Sequence, residues 1–231
     1  MLEAINLTKQ YGNKYALKNL NLSVESGEVF CLLGQNGAGK TTTINLFLGL
    51  ISPTQGKALI NGVEVEPNTK TRQMIAYIPE VVQLYGNMNG LENISFFSQL
   101  AGFDYSTLQL EDLLLKAGLK KEDHNKKLSF YSKGMRQKVG IAIALSKNAD
   151  YIFMDEPISG LDPKAAIEFI QICKELSQEG KGIFMATHDI FNAVNVGTRI
   201  GIMKEGELVH ITDTASINAN ELQEIYLKTI F

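Results

Sequence analysis

Apolar residues gather in short unbroken runs at Val29-Phe30-Cys31-Leu32-Leu33, Tyr151-Ile152-Phe153-Met154, Gly182-Ile183-Phe184-Met185-Ala186 and Arg199-Ile200-Gly201-Ile202-Met203. Helical patterns separate these runs, and the alternation predicts an α/β protein with a mainly parallel, covered sheet. The first run leads into a glycine-rich loop, after which residues 42–50 read as a helix ended by Gly49 and the Ser52-Pro53 turn. Residues 2–24 and 57–79 read as strands with turns at Tyr11-Gly12, Asn61-Gly62 and Pro67-Asn68, and should form an antiparallel lobe. From about Gly90 to Lys147 the period becomes helical, with helices expected at 91–101, 108–118 and 132–146 in an inserted subdomain. At the C-terminal end, Leu222, Ile225, Tyr226 and Ile230 share one face of a packing helix. No internal repeat is found, so residues 1–231 are expected to be a single domain. Its divisions are 1–79 (antiparallel lobe interleaved with the glycine-rich unit), 80–147 (mainly helical) and 148–231 (remaining core and C-terminal helix).

Composition narrows the classes. With 231 residues, 45% hydrophobic and 20% charged, the chain fits a soluble globular protein with a sizeable core. A formal net charge of -3 gives no reason to expect nucleic acid or an anionic membrane surface as the main partner. Cys31 and Cys173 are far apart, and Cys31 lies in an apolar run, so both are expected as small buried hydrophobes in a reducing compartment. The start Met1-Leu2-Glu3-Ala4-Ile5-Asn6 lacks a basic stretch followed by an apolar one, which predicts a cytoplasmic location. No window reaches the roughly 18 uninterrupted apolar residues of a membrane-spanning helix, so any membrane spans would come from another polypeptide.

The loop reads Gly34-Gln35-Asn36-Gly37-Ala38-Gly39-Lys40-Thr41, followed by Thr42. It fits G-x-x-x-x-G-K-[ST], in which glycines let backbone N–H groups curl around phosphate oxygens. Lys40 can reach the β- and γ-phosphates, the Thr41 hydroxyl can ligate Mg²⁺, and the following helix points its positive end at the same phosphates. Kinases, GTPases and many ATPases share such a loop, so the acidic residues must discriminate. The strand at Tyr151 ends in Asp155-Glu156. In isolation such a pair suits a solvated turn or helix cap; beside a phosphate loop, Asp155 becomes the metal-side carboxylate and Glu156 the base that polarises an attacking water.

Taken together, residues 34–42, Tyr131-Ser132-Lys133-Gly134-Met135, Met154-Asp155-Glu156-Pro157, Ser159-Gly160-Leu161-Asp162 and Ala186-Thr187-His188-Asp189 resemble an ABC ATPase over essentially the whole chain. The resemblance implies a P-loop NTPase fold: a RecA-like core, an antiparallel β lobe near the adenine, and a helical subdomain carrying the family signature. It implies further that Tyr11 stacks on adenine, that His188 contacts the γ-phosphate, and that Asp162 belongs to a loop crossing to a partner subunit. Of the usual signature Leu-Ser-Gly-Gly-Gln only Ser132 and Gly134 are kept; these can donate to the γ-phosphate bound by the opposite subunit. Met135 replaces the glutamine, and Lys133 adds positive charge. After Pro79, where the family commonly has glutamine, stands Glu80, a hard oxygen donor and so a candidate Mg²⁺ ligand. His124 and His210 match no motif and are expected on the surface or in packing.

The resemblance implies two cassettes paired head to tail, each ATP held by one phosphate loop and the other chain's Ser132 and Gly134. A homodimer and an integral membrane permease are therefore the expected partners, with the chain peripheral on the cytoplasmic membrane face. Residues 37–43, 131–138 and 222–227 are similar to cassettes of bacterial ABC-2 type exporters. A soluble ABC ATPase acting on ribosomes or DNA is the rival, but such proteins usually carry two cassettes or a long coiled coil, and neither pattern is present. A phosphate-loop kinase would leave Ser132-Lys133-Gly134 and His188 unexplained.

Overall fold

In the computed structural model, which describes residues 1–66 and 70–230, the apolar runs become buried strands. β1 (Leu2–Tyr11) pairs antiparallel with β2 (Lys14–Val24), and β3 (Val29–Gly34) follows, buried along its whole length. The loop after β3 closes directly into α1 (Lys40–Phe47). β4 (Gln55–Ile60) joins the free side of β1 and turns through Asn61 and Gly62, at φ 50° and 76°, into β5 (Val63–Glu64). Positive φ at both central residues is what a two-residue hairpin demands, and Asn-Gly supplies it. This sheet has the order β2-β1-β4-β5.

The second sheet contains β6 (Ile75–Ile78), β7 (Tyr151–Asp155), β8 (Gly182–Thr187), β9 (Arg199–Lys204) and β10 (Glu207–Asp213), with β3 in its middle: β10-β9-β3-β8-β7-β6. All pairings are parallel except β9 with β10. Two expectations are corrected here. Residues 75–78 belong to this parallel sheet rather than to the antiparallel lobe, because Ile75, Ala76 and Ile78 are buried against β7. Residues 207–213, not anticipated as a strand, extend the sheet through a hairpin at Glu205-Gly206, both at positive φ. The turn expected at Pro67-Asn68 lies outside the described residues.

Alternation along the strands sends successive side chains to opposite faces. Phe30 and Leu32 point toward α1 and the antiparallel sheet, where Phe47 stacks on Phe153 with ring centroids 5.5 Å apart. Val29, Cys31 and Leu33 point to the other side, toward the helices that follow. α1 is therefore enclosed between two sheets. It starts at Lys40, two residues before the expected start, so Lys40 and Thr41 are held in its first turn.

Between β6 and β7 lie α2 (Gly90–Leu100), α3 (Thr107–Lys116) and α4 (Lys133–Ser146). Asn89 with Glu92 and Ser106 with Gln109 form reciprocal caps that start α2 and α3, and Ser132 caps α4 by accepting from Met135 N at 3.2 Å. His124 is a packing residue of this region, its Nε2 3.1 Å from Leu119 O. α5 (Pro163–Gln178), α6 (Ile190–Val196) and α7 (Ala219–Ile230) cover the core sheet. Leu222 is buried, and Ile225, Tyr226 and Ile230 pack on the core as the pattern predicts. Cys31 and Cys173 are free and buried, and burial pushes the Cys31 thiol up to about 12. Among the described residues, no helix is long and apolar enough to cross a membrane.

Candidate functional site

The loop after β3 has its shape because two glycines adopt left-handed backbone: Gly37 at φ 82° and Gly39 at φ 112°. A Cβ on Gly39 would also lie 2.6 Å from Ala16 O, so β2 presses against the loop from behind. Gly39 provides no side-chain cap to α1, which leaves the helix's first N–H groups to whatever anion the loop encloses. Ala38 is buried beneath the loop and its carbonyl accepts from Gly206 N at 2.9 Å, so it serves the loop's footing. Lys40 is buried, and its Nζ donates to Gly34 O at 2.7 Å. The ammonium thus lies along the loop, where a phosphate could replace the carbonyl as its partner.

β7 delivers the acidic pair to the opposite wall. Thr41 Oγ1 donates to Asp155 Oδ2 at 2.9 Å, joining the two candidate metal-side oxygens. Burial is the main reason the Asp155 carboxyl is held above its ordinary range; Glu156 and Glu80 push the same way, and the Thr41 hydrogen bond and Lys40 oppose them. Glu156 takes φ 45°, a left-handed conformation that a side chain disfavours, and its N–H donates to Ala186 O at 2.9 Å. Its Oε2 lies 2.9 Å from His188 Nδ1 and accepts from His188 N at 3.3 Å. Its Oε1 is buried without a hydrogen-bond partner, 3.6 Å from Lys40 Nζ.

These groups surround a cleft of about 210 Å³ lined by loop residues 35–37 and 39–42 on one side and Glu80, Asp155 and Glu156 on the other. Glu80 stands at the rim, its Oε1 accepting from Ser159 Oγ at 3.3 Å. The donor set fits a nucleoside triphosphate with magnesium: hydroxyl and carboxylate oxygens for a hard cation, a buried ammonium and free helix N–H groups for phosphates, and one orphaned carboxylate oxygen. Among the described residues, no three His, Cys, Asp or Glu side chains cluster as a metal site.

The remaining expected site residues lie elsewhere. Ser132, Gly134 and Asp162 line a second cleft of about 220 Å³, where α4 meets the start of α5. Asp162 caps α5 by accepting from Ala165 N at 2.9 Å. Tyr11 ends β1 with its ring half exposed and Lys9 Nζ 4.9 Å from the centroid; it does not line the phosphate cleft. Gln137 went unnoticed in the sequence. It is buried and its Nε2 donates to Pro157 O at 3.0 Å, beside Glu156. An uncharged polar residue among Val139, Ile141 and Ala142, on the buried face of an apolar helix, was the available signal.

The ABC transporter family profile matches residues 17–159. The chain is 37% identical over 226 residues to the bacitracin transport ATP-binding protein BcrA of Enterococcus faecalis, covering 97% of this chain and 71% of that one. It is 33% identical over 209 residues to the lantibiotic transport ATP-binding protein SrtF of Streptococcus pyogenes, covering 90% and 89%. Among solved structures, it resembles an ATP-binding cassette seen as a dimer in a post-hydrolysis state with ADP and phosphate, with a TM-score of 0.80 and 30% identity over 93% of this chain and 99% of that one. An ATP-binding subunit of an ABC transporter matches with a TM-score of 0.83 and 30% identity over 99% and 98%.

Proposed function

This chain belongs to the ABC transporter family as an ATP-binding and ATP-hydrolysing subunit working through a separate membrane subunit, and from that premise we propose how its cleft acts and what it serves. The phosphates of ATP lie along residues 34–42, Lys40 exchanges the Gly34 carbonyl for the β- and γ-phosphates, and Tyr11 stacks on the adenine. Magnesium, when bound, neutralises phosphate charge; Thr41 and Asp155 would hold it, with Glu80 as a further oxygen donor at the rim. Glu156 takes the proton of the water that attacks the γ-phosphorus. His188 occupies Oε2, so Oε1, which has no hydrogen-bond partner, is the acceptor left for that proton, while the bond from phosphorus to the β,γ-bridging oxygen breaks and ADP leaves with the electron pair. The same imidazole side chain steadies the γ-phosphate.

The second cleft supplies the rest. In a head-to-tail pair, Ser132 and Gly134 of the partner copy cover the γ-phosphate, and the Asp162 loop crosses the interface. Hydrolysis removes the group both copies hold, so the pair closes before reaction and opens after it, moving the permease. We place the chain on the cytoplasmic face of the membrane, where ATP is supplied, and assign the transport direction as export. The cargo class is an antimicrobial compound, supported by relatives named for bacitracin and lantibiotic transport and for linearmycin resistance.

The observation that carries the mechanism is Glu156, held at φ 45° with one oxygen engaged by His188 and the other buried without a hydrogen-bond partner, 3.6 Å from the Lys40 ammonium. Glu156→Gln should keep ATP binding and lower turnover by about 100-fold or more, the lower range of a lost general base. With ATP it should elute as a stable dimer by size-exclusion chromatography with light scattering; full turnover by this variant would refute the assignment. For cargo, deleting the gene should increase uptake and killing by a peptide antibiotic, and Glu156→Gln should fail to restore resistance. Unchanged accumulation across a panel of such compounds would remove the export reading.

A further inference from the structure

Lys133 and Gln137 stand four residues apart in α4 and so share one face of the helix. Lys133 Nζ donates to Ser159 O at 2.5 Å, and Gln137 Nε2 to Pro157 O at 3.0 Å and Glu80 O at 3.4 Å. Pro157 and Ser159 belong to the turn that leaves Glu156, which is closed by Ser159 N donating to Glu156 O at 3.1 Å and Leu161 N to Ile158 O at 3.1 Å. One helix face thus grips two carbonyls, Pro157 O and Ser159 O, of the turn that follows the left-handed Glu156. The start of that helix carries Ser132 and Gly134, and a Cβ on Gly134 would lie 3.0 Å from Ala165 Cβ, so α4 is seated directly on α5. Ser159 also donates through Oγ to Glu80 Oε1. The two charged departures from the family pattern, Glu80 and Lys133, therefore meet on one serine.

We infer that Lys133 is a positioning residue: it ties the beginning of α4 to the turn that aims Glu156, so that a nucleotide held by the partner copy's phosphate loop, in contacting Ser132 and Gly134 of this chain, also sets this chain's Glu156. A glycine at position 133, as in the usual signature, has no side chain to make this tie. The inference rests on Glu156 being the base. Gln137 is buried and holds the deeper end of the turn, whereas Lys133 is half-buried at the helix start, which makes it the position that can be varied without emptying the core.

The test compares Lys133→Ala, Lys133→Arg and wild type as purified full-length chains, by steady-state ATP hydrolysis with magnesium and by amide hydrogen exchange over residues 156–161. Lys133→Ala should lower kcat about three- to tenfold, short of the roughly 100-fold that a 1 Å displacement of a catalytic group can cost, while KM for ATP stays within about twofold. Exchange in the turn should quicken, and Lys133→Arg, which keeps a donor, should restore both readings. A loss of activity carried by a raised KM, with unaltered exchange, would overturn the inference and make Lys133 a phosphate contact. Unchanged kcat and exchange would overturn it as well. A wild-type chain without hydrolysis would count against the functional reading instead, and the exchange comparison alone would then decide whether Lys133 holds the turn.

Discussion

Glu156 shows how much local cost one residue carries in this fold. Left-handed backbone at a non-glycine residue and a buried oxygen without a hydrogen bond are both unfavourable, and they accompany a carboxylate held between Lys40 and His188. Asp155 beside it has a related cost that pH reveals. Its folded-state pKa lies above the unfolded one, so the native chain holds the proton more tightly. Stability from this group is intact below the ordinary carboxylate range and is lost as pH rises through the raised value. Asp155→Asn should accordingly raise the ligand-free melting temperature at neutral pH, with the two curves converging toward acid pH. The same variant should lose the stabilisation that magnesium adds to nucleotide, as followed by differential scanning fluorimetry. These residues were legible because their chemistry is written in consecutive positions: a glycine-spaced loop, then an acidic pair at a strand end. The hydrogen bond from Thr41 to Asp155 was not, since it joins residues 114 apart.

At the scale of elements, α4 has two duties. Its first turn must present Ser132 and Gly134, and its length must fill the helical core with Val139, Ile141 and Ala142. Ser132→Ala removes the cap that accepts Met135 N and should cost about 1 kcal/mol in chemical denaturation. ATP turnover should fall further than that loss explains if, as proposed, the hydroxyl also serves the partner's phosphate. Helices α2, α3 and α4 could be read from their 3.6-residue period. β6 could not be placed: its four residues fit either sheet, and only the parallel pairing with β7, whose partners lie more than 70 residues away, decides between them. β10 escaped for the opposite reason, since its burial alternates weakly along an edge and gives no continuous apolar run.

In the whole molecule, α1 lies between two sheets, so the phosphate loop is anchored by β2 of the antiparallel sheet and by β3 and the Gly206 hairpin of the core sheet. This gives the loop a rigid base, while the helical region that carries the second cleft joins the core largely through α4. The family resemblance already assigns the phosphate loop and Ser132-Gly134 to different sites of a pair. That Asp162 shares a cleft with Ser132 and Gly134 was visible only once α4 and α5 were packed together.

The two clefts also set how damage spreads through a population of subunits. In the proposed head-to-tail pair each copy contributes a loop to one site and an α4 start to the other, so a defective chain does not confine its defect to itself. In a cell making equal amounts of intact and Glu156→Gln chains, only about a quarter of randomly formed pairs contain two sound copies, by the arithmetic of a two-fold assembly. A single faulty allele would then behave as a dominant poison rather than as a silent recessive loss.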